Sequence, residues 1–156
     1  MNKFFQILKK DHKALKEILG QLSKTKYKSK KRDKLFLKLK EALVPHMKAE
    51  EITFYPPLLK KKEAREVALE GVEEHHVSDL VFKELENMPK DQDQWGAKLS
   101  VFKELVEHHI EEEEGPIFKT AKEVLSKNKF QSIMKQFLEE KQKIKENLKQ
   151  PSVMKK

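Results

Sequence analysis

The sequence contains an internal repeat that spaces histidines identically in its two halves. His12 and His46 lie 34 residues apart, and the same interval separates His75 from His109. The second pair follows the first by 63 residues, and in both halves a glutamate follows the second histidine by four residues. Similarity at a fixed period indicates repeated supersecondary units. The chain is therefore predicted to contain two copies of one structural unit.

Apolar residues within each copy recur at intervals of three and four, which is the spacing of one face of an α-helix. Each copy carries two such stripes, and every stripe includes one of the histidines. The stripes are Phe5, Leu8, His12, Leu15, Leu19 and Leu22; Phe36, Leu39, Leu43, His46 and Glu50; Ala68, Gly71, His75, Ser78, Phe82 and Leu85; and Leu99, Phe102, Val106, His109 and Glu113. Each copy is therefore predicted to be a helical hairpin, with His on its first helix and His-x-x-x-Glu on its second.

Two such hairpins packed antiparallel predict an all-α fold, a four-helix bundle over residues 1–125 with a pseudo-two-fold axis. Pro45 lies inside the second stripe, whose spacing continues across it, so a kink just before His46 is expected rather than a break. Interruptions of the helices are expected at Lys24–Lys34, at Pro56-Pro57, at Pro89 with Lys90–Gln94, and at Gly115-Pro116, where the fourth helix kinks or stops.

A fifth helix is predicted over residues 126–149, followed by a basic tail at residues 150–156. Its apolar stripe lies on a Lys/Glu background without histidine and consists of Phe130, Ile133, Met134, Phe137, Leu138, Ile144 and Leu148. An amphipathic helix of this kind buries its apolar face against a neighbouring element. We expect it to pack on the bundle, and binding of a partner by the same stripe is the alternative.

The histidines and glutamates of the stripes are predicted to converge in the interior of the bundle. Buried imidazole and carboxylate groups cost free energy unless something pairs with them. Two divalent metal ions would pair with them, each glutamate bridging both ions and each ion binding two histidines. Imidazole with carboxylate suits iron or manganese, and zinc is possible. A lone histidine on a stripe is more commonly a core residue, but the whole set predicts metal ligands at His12, His46, Glu50, His75, His109 and Glu113.

Four further polar residues flank these candidates. His76 and His108 each lie one residue from a stripe position, about 100° round a helix, and are expected beside the site or at the surface. Glu51 and Glu114 follow the two candidate glutamates and are expected to point away from the site, with Glu114 as an alternative to Glu113.

Composition excludes several other classes of protein. Because the chain has no cysteine, thiolate metal sites, iron–sulfur clusters and cysteine nucleophiles are excluded. The net charge of +8 comes almost entirely from lysine, with arginine only at Arg32 and Arg65. Arginine is the usual reader of bases and phosphates, so nucleic-acid binding is not expected. No signal peptide or apolar membrane span is recognisable, so a cytoplasmic protein without a membrane partner is expected.

Four short motifs accompany the repeat: DH at 11–12, HMKAEE with YP at 46–56, EEHH at 73–76, and HIEEEE with IF at 109–118. Together they resemble the hemerythrin-like family, also called the HHE cation-binding domain, over residues 4–120. The resemblance implies an up-down-up-down bundle around a non-haem di-iron centre. It also implies that the six candidate residues above are the ligands of that centre.

One departure from the family pattern bears on function. Oxygen-carrying hemerythrins have a further histidine four residues after the one on the third helix, where this chain has Asp79. Lys16 stands at the equivalent place in the first repeat. The chain therefore resembles the branch with four histidines and two glutamates, similar to bacterial iron-centre repair and nitric-oxide-linked proteins. Three roles are open for Asp79: an oxygen ligand, a hydrogen-bond acceptor beside the site, or a residue outside it.

The function implied is a protein with two iron ions, oxo- or hydroxo-bridged, that binds or senses O₂, NO or peroxide; manganese or zinc is the other possible metal. The alternative is a di-iron enzyme or stress protein that reduces peroxide or NO, or donates iron for iron-centre repair. The sequence has no separate substrate-pocket motif, which favours binding over catalysis. A ferritin-like oxidase is not expected, because Glu-x-x-His occurs once, at Glu73–His76. An interaction module acting through the basic surface would instead show salt-sensitive binding to nucleic acid or anionic lipid.

Overall fold

Helices are the ordered elements of the computed structural model, which describes residues 2–27 and 29–149. In chain order they are α1 (Lys3–Ser23), α2 (Lys30–Thr53), the short α3 (Tyr55–Leu59), α4 (Arg65–Asn87), α5 (Asp93–Glu112), a π-helical turn (Glu113–Ile117), α6 (Phe118–Val124) and α7 (Lys127–Leu148). α1 packs on α2 and α4 packs on α5, as the two predicted hairpins require. The predicted all-α bundle is confirmed. Within the described ranges, no helix is long and apolar enough to cross a membrane.

Side-chain caps fix where the first two helices begin. The Asn2 side chain accepts a backbone hydrogen bond in the first turn of α1 at 3.0 Å, and the Ser29 hydroxyl accepts from the Arg32 N–H at 3.1 Å. Such caps satisfy N–H groups that have no partner within the helix. Because Ser29 caps α2, residues 30–34 of the predicted basic link are helical, and the link is shorter than expected. The predicted break before the fourth bundle helix is also shorter, since α5 begins at Asp93.

The prolines lie where the helical path tolerates them or deforms around them. α2 continues through Pro45, which confirms that there is no break at this residue. Pro56 and Pro57 occupy the first turn of α3, where a missing N–H leaves no helix hydrogen bond unmade. At Pro116 the chain widens into the π-helical turn instead of stopping, because proline cannot donate to the carbonyl four residues earlier.

A polar layer divides the core of the bundle into two apolar clusters. One cluster includes Trp95 and the stacked rings of Phe36 and Phe82, whose centroids are 5.1 Å apart. The other includes the stacked rings of Phe5 and Phe118, whose centroids are 3.9 Å apart. Every residue of the four predicted stripes is buried, which confirms the predicted inner faces. The histidines and glutamates of those stripes form the layer between the two clusters.

α7 packs along α2 and also contacts α1. Its buried residues are Ile133 and Phe137, and the Phe137 ring meets Phe4 edge-on at 5.4 Å between centroids. The predicted stripe of this helix is too wide, because Leu138 is 46% exposed. A helix packed on the outside of a bundle buries only a narrow strip of its surface. The domain division at residue 125 stays a prediction, and the predicted tail at 150–156 lies outside the described residues.

Candidate metal centre

The six predicted ligands lie together in the polar layer, and none is more than 8% exposed. Their nitrogen and oxygen atoms form two adjoining groups, and within each group one such atom from every residue lies within 4.8 Å of the others. The first group consists of His12, His46, Glu50 and Glu113, and the second consists of Glu50, His75, His109 and Glu113. Each histidine therefore belongs to one group, whereas both glutamates belong to both. The duplicated hairpin therefore builds two sets of donor atoms that share two carboxylates.

Each glutamate reaches both groups by contacting histidines on two helices. Glu50 Oε2 lies 3.5 Å from Nε2 of His46, one turn earlier on α2, and Glu50 Oε1 lies 3.1 Å from Nε2 of His75 on α4. Glu113, which begins the π-helical turn, makes the equivalent contacts to the histidines of α5 and α1, at 3.3 Å and 3.1 Å. Spacing of four residues on one helix, combined with pairing to a second helix, aims the nitrogen and oxygen atoms at common points.

Four buried atoms of this layer make no hydrogen bond of good geometry with the described residues, although the nearest histidine nitrogens and glutamate oxygens lie 3.1–3.5 Å apart: His12 Nε2, Glu50 Oε1, Glu50 Oε2 and Glu113 Oε1. Burying charged oxygens without well-formed hydrogen bonds is costly in free energy. Cations bound between the two glutamates would satisfy all four atoms. Imidazole nitrogen with carboxylate oxygen suits iron, manganese or zinc, so these residues fit the kind of metal that the sequence pattern predicts.

Every histidine of the layer also contacts a carboxylate through its second ring nitrogen, Nδ1. The four acidic residues that make these contacts are called the carboxylate ring below. Its contacts are Asp11 to His46 at 2.9 Å, Glu51 to His75 at 3.0 Å, Glu74 to His109 at 2.8 Å, and Glu114 to His12 at 2.7 Å. An Nδ1–H that donates to a carboxylate leaves Nε2 free to bind a metal and fixes the orientation of the imidazole.

Each member of the carboxylate ring lies next in sequence to a candidate ligand and contacts the histidine of a different helix. The four contacts therefore connect all four helices of the bundle. Asp11 and Glu74 precede a histidine, and Glu51 and Glu114 follow a glutamate. The prediction that Glu51 and Glu114 point away is therefore wrong, and Glu114 is not the alternative to Glu113. A residue next to an inward-facing one lies about 100° round the helix, which in a bundle directs it towards the neighbouring helix. The signal in the sequence was an acidic residue directly next to a candidate ligand in all four stripes.

The remaining polar candidates lie outside both groups of donors. His108 is 61% exposed and contacts Glu74 at 3.3 Å, which places it at the surface beside the carboxylate ring. His76 is exposed. Asp79 pairs with Lys83 at 2.9 Å, so of its three possible roles the structure supports the one outside the site.

Tyr55 is a residue of the site to which the sequence assigned no role. It is buried at the start of α3, its hydroxyl donates to Glu113, and the same hydroxyl lies 3.4 Å from Nε2 of His109. Burial raises the pKa of Tyr55 well above its usual value, and the nearby charges of Glu113 and Glu50 add to the effect. The phenol therefore stays neutral and keeps donating. The ring lies just after the interruption between α2 and α3 at Phe54, and the spacing of apolar residues along α2 does not place it in the site.

Gly71→Ala is expected to destabilise the protein by about 1–3 kcal/mol, the usual cost of overpacking a buried position. A Cβ atom at Gly71 would lie 2.8 Å from Cε1 and 2.9 Å from the hydroxyl oxygen of Tyr55. Urea denaturation measures the loss. Gly20→Ala is the matched control, since nothing lies within 4 Å of a Cβ there. That control is expected to be neutral or stabilising, and equal stability of the two variants would contradict the close contact at Gly71.

The carboxylates favour the protonated form of His46, His75 and His109 when no cation is bound, because they raise the pKa of each of these imidazoles. Burial by itself lowers the pKa of His46, but the charge of Glu50 and the hydrogen bond to Asp11 outweigh it and raise the pKa to about 10. Burial likewise opposes the charged form of His109, but hydrogen bonds to Glu113 and to the carboxylate ring raise its pKa to about 10. Cations and protons therefore compete for the same buried nitrogen atoms.

Binding of divalent cations at neutral pH is expected to release at least two protons per chain, because ligation requires neutral imidazoles and the pKa values of His46 and His109 are about 10. Although burial opposes it, contacts with Glu50 and Glu51 also raise the pKa of His75. Zn²⁺ titration by calorimetry, in buffers that differ in protonation enthalpy, measures the release. The apparent affinity should fall as the pH is lowered, because protons then compete more strongly for the same imidazole nitrogens. A binding heat that does not depend on the buffer would contradict the raised pKa values.

A small cavity of about 20 Å³ adjoins the four histidines on the side of the first apolar cluster. A volume of about 10–15 Å³ on this measure is enough for one water molecule, so the cavity admits one very small molecule. Its other walls are Leu15, Leu43, Met47, Ser78, Val106 and Ile110. Apart from the histidines, Ser78 is the one lining residue with a polar side chain.

A buried layer of four histidines and two glutamates inside a four-helix bundle defines a helical protein that binds metal ions. The family model of the hemerythrin HHE cation binding domain matches residues 3–121, and the chain belongs to this family. The fold is similar to the crystal structure of a hemerythrin HHE cation binding domain-containing protein from Mycobacterium kansasii, with a TM-score of 0.81. The two are 21% identical, and the match covers 95% of this chain and 90% of that chain. No curated protein gives a significant sequence match.

Proposed function

We propose that this protein is a non-haem di-iron protein that binds or senses O₂, NO or peroxide at a carboxylate-bridged site. In this proposal the four histidines are terminal ligands, two for each ion, and Glu50 and Glu113 bridge the ions. Manganese and zinc are the other metals that the same donors suit. The proposal places the protein in the cytoplasm.

The sharing of glutamates supports two ions rather than one. Glu50 and Glu113 are members of both groups of donor atoms, and each contacts one histidine of either group. Two-metal sites place their ions about 3.5–4 Å apart, a distance that a bridging carboxylate spans. Six protein ligands also leave coordination positions open on two six-coordinate ions. These positions are where a small molecule would bind.

The cavity beside the histidines is the observation that carries the proposal. Its volume of about 20 Å³ leaves room for one molecule little larger than water, which favours a diatomic molecule or peroxide over a larger substrate. Iron, when bound, supplies electrons and open coordination positions. The apolar walls keep bulk water away, and Tyr55 holds Glu113 in place through its hydroxyl. The Ser78 hydroxyl is the polar group of the lining that is available to a small molecule.

Anaerobic loading of the full chain with Fe²⁺, followed by O₂, NO or peroxide, tests this proposal by metal analysis and by optical and Mössbauer spectroscopy. We expect two iron ions per chain and a spectral change with at least one of the three molecules. Ser78→Val fills the cavity without touching a ligand and should weaken that response while the iron content stays the same. Ser100→Val, at an exposed position of α5, is the matched control.

Two results would overturn the proposal: a chain that takes up no iron, or loaded iron that is inert to all three molecules. Continuous consumption of peroxide or NO by the loaded protein would instead favour the enzyme alternative. In that case His46→Ala should abolish turnover, because it removes a ligand of the site.

A further inference from the structure

The C-terminal helix α7 lies outside residues 3–121, which the family model matches, yet it contacts one half of the metal site. Lys141 Nζ donates to Asp11 Oδ1 at 2.7 Å, and Asp11 Oδ2 lies 2.9 Å from Nδ1 of His46. One turn earlier on α7, Phe137 packs edge-on against the His46 imidazole, with 5.8 Å between ring centroids. Two side chains of α7 therefore constrain the same candidate ligand, His46: Lys141 through Asp11, and Phe137 by direct contact.

The other members of the carboxylate ring have weaker cationic neighbours. Glu51 lies 3.9 Å from Lys48, whose side chain is 49% exposed, and Glu74 lies 3.3 Å from the exposed His108. Among the described residues, Glu114 has no lysine or arginine partner in an ion pair. The ion pair between Lys141 and Asp11 therefore makes one of the four carboxylates different from the other three, so the two halves of the site are not equivalent.

The geometry of this ion pair suits it for holding a side chain in place. Lys141 is 21% exposed and Asp11 is 16% exposed, so water screens their attraction less than at an open surface. Charge-assisted contacts on both oxygens fix the Asp11 carboxylate. A fixed carboxylate in turn fixes the orientation of the imidazole that contacts it. Phe137 limits tilting of the same ring by packing against it.

We propose that Lys141 is a positioning residue that orients His46 through Asp11, so that the cation bound by His12 and His46 leaves the site more slowly than its neighbour. α7 thereby makes the two halves of a duplicated site unequal. This inference rests on the two-ion arrangement of the proposed function. It does not depend on which metal or which small molecule the site takes.

Release of Zn²⁺ from the fully loaded chain into excess chelator tests the inference. The wild type is expected to show two phases of equal amplitude. Lys141→Ala should accelerate the slower phase about 3- to 10-fold and leave the faster phase unchanged, because partners that only contact a ligand change metal affinity about 10- to 100-fold and a residue one step further out changes it less. Lys141→Arg should restore the slow phase, since guanidinium also pairs with carboxylate. Lys143→Ala, at an exposed lysine of the same helix, is the matched control.

A double-mutant comparison separates positioning from simple loosening of α7. If Lys141 acts through Asp11, then Lys141→Ala should add nothing to the effect of Asp11→Asn. Equal acceleration of both phases by Lys141→Ala, or no acceleration, would overturn the inference, as would full additivity with Asp11→Asn. A wild type that binds one Zn²⁺ would overturn the two-ion proposal as well. Two ions that leave in one uniform phase would overturn only this inference.

Discussion

Glu50→Gln is expected to lower the affinity of both halves of the site for divalent cations by more than about 100-fold, since even residues that only contact a ligand change metal affinity about 10- to 100-fold. The amide keeps the shape of the side chain but loses its charge and replaces one acceptor oxygen with a donor. Because Glu50 belongs to both groups of donor atoms, both ions should be affected. His12→Ala removes a donor from one group, so this variant should keep one ion.

Metal analysis and Zn²⁺ titration of the two variants measure this difference. Glu70→Gln, which changes an exposed glutamate of α4, controls for the loss of charge and should bind as the wild type does. If Glu50→Gln retained one tightly bound ion, as His12→Ala is expected to do, the two groups would not share this carboxylate in the loaded protein.

Removal of bound metal is expected to lower the melting temperature by roughly 15–30 °C. A ligand at about 1,000 times its dissociation constant stabilises the folded state by about 4 kcal/mol per site, and two sites give about 8 kcal/mol. For a chain of this length, each kcal/mol shifts the midpoint by about 2–4 °C. The structural reason is that four buried atoms of the layer make no well-formed hydrogen bond with the described residues, and bound cations would pair with all of them.

Scanning calorimetry of chelator-treated and Zn²⁺-loaded protein measures the shift, and returning Zn²⁺ to the treated sample should restore it. In Glu50→Gln the shift should be at most about a third as large, because a 100-fold weaker site is then at only about 10 times its dissociation constant. If the chelator-treated and the Zn²⁺-loaded wild type melted at the same temperature, the layer would be stable without cations. That result would contradict the assigned role of the unpaired atoms.

Helix periodicity and the repeat were enough to predict the inner faces of the bundle. Residues three and four apart share a face of a helix, and burial of apolar side chains fixes which face turns inward. For that reason every residue of the four predicted stripes is buried, including Glu50 and Glu113. Leu138 of α7 was misplaced by the same reasoning, because how wide a strip is buried depends on the neighbour and not on the helix itself.

The sequence by itself therefore determined which side chains enter the polar layer, since that depends on spacing along single helices. Only the tertiary structure decided what those side chains contact. The carboxylate ring, Tyr55 and Lys141 all act across helices, with Lys141 separated from Asp11 by 130 positions. Such contacts depend on the rotation and offset of neighbouring helices, which are set by packing of the whole core. The spacing of residues along a single helix does not depend on that packing and therefore cannot predict these contacts.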